Sequence, residues 1–223
     1  SKSEENWISK MIAPEGKIIL IPIFLVLIIG FGVQQIMPMT WLYKINWLVL
    51  ALFIFSLYFF RIPVRQFPDD EKLFISPADG KIVKITAIDD PDLGAVTQIS
   101  IFLSVFNVHK QWIPLSGTVL DKNVNKGKFL AAFNHKASMD NEQTSTVLKD
   151  LEGNKFKIKQ IAGFIARRII NNLSAGETVV RGNQLGFIRF GSRVDILVGD
   201  NFKINIEMGD KVKGGKTIIG YFK

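Results

Sequence analysis

Cysteine is absent from the 223 residues, and histidine occurs only twice, as His109 and His135. The first absence excludes a disulfide scaffold, a cysteine nucleophile and a thiolate metal site. The second leaves too few imidazoles for a multi-histidine centre, so no metal site is expected. Acidic residues are in short supply: 28 Lys and Arg stand against 20 Asp and Glu, a net charge of +8. That sign suits an anionic partner, either nucleic acid or a membrane surface. A chain that is 48% hydrophobic and 22% charged is not disordered. The most informative absence is local. No charged residue stands between Ile18 and Tyr43, and after Lys44 none stands from Ile45 to Phe60.

A bilayer core takes about 20 apolar residues per helix. The two uncharged stretches meet that length as spans of about 18–36 and 41–60. Between them lies Gln34-Gln35-Ile36-Met37-Pro38-Met39-Thr40, a short polar turn with a proline, and Trp41, Tyr43 and Trp47 suit an aromatic belt. A buried helical hairpin of a soluble domain would show a polar face, which these stretches lack. A cleaved signal peptide would need a small-residue cleavage site and no second span. Residues 18–60 are therefore read as a transmembrane hairpin. Lys2, Lys10 and Lys17 precede it, Arg61 and Arg65 follow it, and the connecting turn has only Lys44. This bias makes residues 1–17 a cytoplasmic tail, and it puts residues 61–223 on the cytoplasmic face of the cell membrane. A basic domain tethered there lies against anionic headgroups. Nucleic acid binding needs no such anchor and is not expected.

Residues 61–223 read as β-rich. Runs of β-branched and apolar residues recur at Gly80–Ile85, Thr97–Val105, Gly117–Leu120, Phe156–Ile161, Leu185–Phe190, Val194–Val198 and Thr217–Tyr221, divided by Gly, Asn and Asp. One helix is expected at Ile161–Asn172, where Ile161, Ile165, Ile169 and Leu173 keep helical spacing. A weak internal repeat relates Gly176–Gly182 to Gly209–Gly215: glycine, acid and valine, then a second glycine six residues after the first. The fold expected is a β-rich α+β domain, a sandwich or barrel with hairpin units like those of lipoyl and biotinyl carriers. A carrier function is not expected, because no Met-Lys pair stands at a hairpin tip.

Three short motifs hold the reactive side chains. Ser76-Pro77-Ala78-Asp79-Gly80 precedes a strand, Phe106-Asn107-Val108-His109 follows one, and Phe190-Gly191-Ser192-Arg193 separates two apolar runs. Each alone reads as a turn. In this order, behind a two-helix anchor, the chain resembles the phosphatidylserine decarboxylase proenzymes of the short, membrane-anchored kind. The resemblance extends through Phe60-Arg61-Ile62-Pro63, Asn141-Glu142, Gln160-Ile161-Ala162-Gly163, Ala166-Arg167-Arg168-Ile169 and Leu185–Arg193.

The resemblance implies that the precursor cuts itself between Gly191 and Ser192. A β chain (1–191) and an α chain (192–223) would stay associated, with Ser192 converted to a pyruvoyl group and no external cofactor needed. The pyruvoyl ketone would form a Schiff base with the serine amine of phosphatidylserine, and loss of CO2 would leave the ethanolamine lipid. The residues make sense of this. A serine hydroxyl can attack the preceding carbonyl, glycine permits the backbone geometry, and the hydroxyl needs an oriented base. Asp79 and His109 are the candidates, expected as an Asp-His-Ser arrangement, with His109 as proton donor in turnover. Trp112 stands where larger members carry a second histidine. Arg167 and Arg168 are candidate phosphate contacts, or a solvated face, and His135 is a candidate substrate contact, or a solvated loop residue. The expected partners are phosphatidylserine in an anionic membrane and the two chains of the same precursor, with self-association left open. Two other readings stand beside it: a membrane-tethered serine hydrolase, and a non-enzymatic anchored sandwich domain. The hydrolase lacks a Gly-x-Ser-x-Gly elbow.

Overall fold

The computed structural model describes residues 11–127, 142–163, 168–189 and 192–223. The chain divides into two compact units, residues 1–64 and 65–223.

In the first unit a 3-10 turn at Pro14–Gly16 leads into α1 (Lys17–Ile36), and α2 (Thr40–Phe59) returns after Pro38. Both helices are long and apolar enough to cross a membrane, and most of their side chains are exposed. Exposed Ile18, Phe24, Leu25, Ile29, Leu48 and Ile54 would be costly in water, and hydrocarbon removes that cost. Gln34, Asn46 and Ser56 turn the other way and are buried. Asn46 is buried and donates through Nδ2 to Gln34 Oε1 at 2.6 Å, and a side chain at Gly30 would run into Asn46. A small residue with an interhelical polar pair is how apolar helices associate where lipid supplies no hydrophobic drive. The hairpin is closed at its base by Ala13 N–H to the Phe60 carbonyl (2.7 Å) and Ile62 N–H to the Met11 carbonyl (2.6 Å).

The second unit is built on strands. In chain order they are β1 (Phe74–Ile75), β2 (Gly80–Asp90), β3 (Gly94–Leu103), β4 (Lys110–Trp112), β5 (Gly117–Lys126), β6 (Glu142–Asp150) and β7 (Lys155–Ala162). After these come β8 (Ile169–Ile170), β9 (Thr178–Val179), β10 (Gln184–Ile188), β11 (Ser192–Val198), β12 (Phe202–Ile204), β13 (Lys211–Val212) and β14 (Ile218–Phe222). Eight form one antiparallel sheet in the order β13-β2-β3-β11-β7-β6-β5-β9. Two three-stranded sheets, β4-β10-β8 and β1-β14-β12, accompany it. Alternation along β3, β7 and β11 sends Ile99, Ile101, Leu103, Phe156, Ile158, Ala162, Val194 and Ile196 into one core, where Phe74 packs edge-on against Phe156 and Phe202.

The helix expected at Ile161–Asn172 is replaced, where the segment is described, by extended chain. Ile161 and Ala162 end β7, and Ile169 and Ile170 form β8. Apolar residues four apart also arise when two short strands each bury one face, and here tertiary pairing decides. The strand β6 escapes the pattern reading because its sequence, EQTSTVLKD, is mostly polar. The repeat has a physical basis. Gly176, Gly182, Gly209 and Gly215 all have positive φ, between 75° and 100°. A Cβ at Gly182 would come within 2.9 Å of the Phe67 ring, and one at Gly215 within 2.7 Å. The two related turns thus clasp one phenylalanine, and glycine is required for both the backbone and the space.

Candidate active site

Register brings the three motifs to one end of the large sheet. Lys81 pairs with Phe102, Phe102 with Arg193 and Arg193 with Ile161, so Gly80, Leu103, Ser192 and Ala162 lie along one row. Ser192 is the first residue of β11, with Leu103 and Ala162 as its two cross-strand partners. It is fully buried, and its Oγ has no hydrogen-bond partner among the described residues. A buried hydroxyl without a partner costs free energy, and a role in chemistry is one reason for a fold to retain it.

Asp79 reaches the same end through the turn before β2. Ser76 Oγ donates to the Ala78 carbonyl at 2.7 Å, closing that turn. The Pro77 carbonyl accepts the Trp112 N–H at 2.9 Å, which ties the first motif to β4, just beyond His109. The Asp79 carboxylate is held from two sides. Arg65 Nη2 donates to both oxygens at 2.9 and 2.8 Å, and the Gly214 N–H donates to Oδ1 at 2.7 Å. Both partners of this ion pair are largely buried, with side chains 9% and 11% exposed, so loss of either would strand a charge.

His109 is fully buried between β3 and β4. Its Nδ1 lies 2.9 Å from the Asn107 carbonyl oxygen. A carbonyl only accepts, so Nδ1 carries a proton toward Asn107, and in the neutral form of such a ring the lone pair lies on Nε2. The ring is therefore oriented by main chain, and His109 is not among the partners of the Asp79 carboxylate. The His109 carbonyl meets the third block directly, accepting the Ile188 N–H at 3.3 Å. Asn107 itself is fixed: its Oδ1 accepts the Ser104 N–H and Oγ–H, each at 2.9 Å.

Arg168 is exposed, and its carbonyl accepts the Arg189 N–H at 3.3 Å, next to β10. Gly191, Arg167 and His135 lie outside the described residues. Among the described residues no group of three His, Cys, Asp or Glu could hold a metal ion.

The description "Phosphatidylserine decarboxylase" belongs to the family model that matches residues 52–220. The chain belongs to the phosphatidylserine decarboxylase family. Three proteins called phosphatidylserine decarboxylase proenzyme are similar over most of its length. That of Geobacter metallireducens is 43% identical over 171 residues, covering 76% of this chain and 78% of its own. That of Chlorobium phaeobacteroides is 38% identical over 214 residues, 96% of this chain and all of its own. That of Amoebophilus asiaticus is 42% identical over 212 residues, 92% and 93% of the two chains. The chain is an enzyme of this decarboxylase family, a carboxy-lyase.

Several residues around this end of the sheet escape sequence reasoning: Arg65, the main-chain groups of Asn107 and Gly214, and two buried glutamines, Gln111 and Gln160, joined by Gln160 Nε2 donating to Gln111 Oε1 at 2.9 Å. A signal for Gln160 existed. It shares a strand face with Phe156, Ile158 and Ala162, a polar residue in an apolar row. Arg65 and the main-chain groups had none, because nothing in local sequence marks which carbonyl or amide will face a side chain.

Proposed function

We propose that the chain matures by cleaving its own Gly191–Ser192 bond and then decarboxylates phosphatidylserine to phosphatidylethanolamine through a pyruvoyl group made from Ser192. The observation that carries the reading is Ser192. A fully buried hydroxyl without a partner opens the strand β11 at the sheet end where the three motifs meet. A small α-keto group at that position needs no more room than the serine it replaces, so the residues present fit it.

Maturation uses this chain's own atoms. His109 Nε2 takes the Ser192 hydroxyl proton, since Nδ1–H is committed to Asn107. Ser192 Oγ attacks the Gly191 carbonyl, His109 gives the proton to the departing Ser192 nitrogen as the amide C–N bond breaks, and the peptide becomes an ester. Removal of the Ser192 Cα proton expels the Gly191 carboxylate from Cβ. The resulting dehydroalanine tautomerises and takes up water, releasing ammonia and leaving the ketone. Asp79 acts through its brace: held by Arg65 and the Gly214 amide, it ties the start of β2, at the sheet end that Ser192 shares, to the segment before β14.

In turnover the ketone supplies an electron sink for the pair left when CO2 departs. The chain's residues hold the headgroup, exclude water and return a proton. His109, buried and oriented, is assigned that proton transfer. The exposed Arg168, with Arg167 beside it in sequence, is assigned to the lipid phosphate, and His135 to a headgroup contact. The apolar hairpin keeps the protein where its substrate's tails remain, in the cell membrane with residues 65–223 on the cytoplasmic side.

The test is the intact mass of the purified chain together with CO2 release from serine phospholipid vesicles. Two fragments meeting at 191/192, the smaller with a blocked N-terminus, support the reading. A single uncut chain that still releases CO2 would overturn it. An uncut chain whose Ser192 takes a fluorophosphonate label would point to the hydrolase.

A further inference from the structure

We infer that Gln160 is a positioning residue for His109, acting through Gln111 along a one-way chain of buried amides. The inference rests on the proposed role of His109 and adds residues that no motif reading assigns. Four polar side chains from four parts of the fold meet on the inner face of the large sheet, beneath β4 and β10. Asn171 Nδ2 donates to Gln160 Oε1 at 2.8 Å and to Thr146 Oγ1 at 3.1 Å. Gln160 Nε2 donates to Gln111 Oε1 at 2.9 Å. Gln111 Nε2 donates to the His109 carbonyl at 2.6 Å.

The direction of this chain is dictated from both ends. The Leu173 N–H donates to Asn171 Oδ1 at 3.1 Å, so the other Asn171 terminal atom must be the donor. The His109 carbonyl has no proton to give, so the Gln111 atom facing it must be the amide nitrogen. Every bond between follows. Consecutive amides aligned in one direction polarise one another, and the low dielectric strengthens them. Gln111, Gln160 and Thr146 are each 1% exposed or less, so no water competes.

The approach is also built to be close. Gly186 is the cross-strand partner of Gln111, and a Cβ there would come within 2.5 Å of both Gln160 Nε2 and the Ile170 carbonyl. Val194, the partner of Gln160 across β7 and β11, lies two residues beyond Ser192, so the chain runs on the same sheet face as the Ser192 side chain. His109 is thereby fixed twice: its backbone by the amide chain and its ring by Asn107. Both fixings fall on the residue whose Nε2 must meet Ser192.

The test uses the full-length protein in detergent. Gln160→Glu has the same shape and can accept from Asn171, but a carboxylate cannot donate to Gln111. The variant is expected to lower kcat roughly 10- to 100-fold with KM within about twofold, a split that loss of substrate contact would not produce. The chain has two histidines, so 15N ring spectra, with His135→Gln for assignment, read the His109 tautomer directly. The expected result is a mixed or broadened His109 ring signal in Gln160→Glu. Thr146→Val, three side chains away from His109, is expected to give a smaller shift of the same sign, and it is read in place of Gln160→Glu if that variant does not fold. An unchanged ring signal and unchanged kcat in a folded variant overturn the inference. A wild-type chain that neither splits nor releases CO2 overturns instead the proposed function, and the ring spectra still decide the positioning.

Discussion

Ser192 and His109 are the residues proposed to carry the chemistry, and both are fully buried, the His109 ring with Nδ1 2.9 Å from the Asn107 carbonyl oxygen. Replacing Ser192 by Ala removes the attacking oxygen and the source of the ketone together. The expected result is an unsplit chain with no CO2 release, checked by mass spectrometry and by trapping labelled CO2. Replacing His109 by Ala leaves the fold's main-chain contacts and removes the proton carrier. A loss of about 100-fold or more in decarboxylation is expected, within the usual range for general acid–base groups. Turnover at the wild-type rate would move the role elsewhere. Gly186 tests the packing that brings β10 onto Gln160. An added methyl meets the Gln160 amide and the Ile170 carbonyl at 2.5 Å, and β10 must shift to accept it. Gly186→Ala is expected to lose about 1–3 kcal/mol, the usual cost of overpacking, measured by denaturant unfolding in detergent.

The strand β11 explains how a small C-terminal fragment would stay in place after cleavage. It lies between β3 and β7, with seven residues from Ser192 to Val198 paired on both sides. A chain end normally frays. Here the second residue resists it: Arg193 Nε and Nη2 donate to the two Asp195 oxygens, each at 2.9 Å, and Gln98 donates to Asp195 Oδ2 at 2.9 Å. Both charges are buried. Asp195→Leu leaves the guanidinium stranded and is expected to cost about 3–5 kcal/mol. The double change Arg193→Leu with Asp195→Leu removes both charges and is expected to cost clearly less. A double-mutant cycle in unfolding free energy, completed by the single Arg193→Leu variant, measures the difference, and strictly additive losses would show that the pair contributes nothing together.

Across the whole unit 65–223, buried charge makes stability depend on pH. Asp90 ends β2 beside Lys157, with Lys159 at 3.2 Å and Lys157 also 2.6 Å from Asp92. Burial alone pushes the Asp90 carboxyl up. The bonds from Lys157 and the Asp92 amide, the Lys157 charge and the Lys159 contact together outweigh burial, so Asp90 sits below the usual carboxylate range. A carboxyl lowered on folding contributes stability that is present above its unfolded value and lost as pH falls through its folded one. Unfolding free energy is therefore expected to decline on acidification below the ordinary carboxylate range. In Asp90→Asn that part of the slope is expected to flatten, as unfolding curves at several pH values would show.

Much was legible before any coordinates. Two uncharged runs of about twenty residues predict two long apolar helices, because a run of that length without charge has the size and composition of a membrane-spanning helix. Observed helices at Lys17–Ile36 and Thr40–Phe59 differ from the expected spans by a residue at each changed end. Runs of β-branched and apolar residues likewise mark every described strand of five residues or more except β6, while the shorter strands escape them, and the order of three motifs points to the family. Tertiary structure alone decided the rest. It put Ile161–Ala162 and Ile169–Ile170 into strands, because pairing with β11 and β10 outweighs a local spacing. It gave Asp79 to Arg65 and Gly214, and His109 to the Asn107 carbonyl. It also drew Gln111, Gln160 and Asn171 into one line. Hydrophobic period is a property of neighbours along the chain, whereas a hydrogen bond between residues dozens of positions apart exists only once the sheet brings their strands into register.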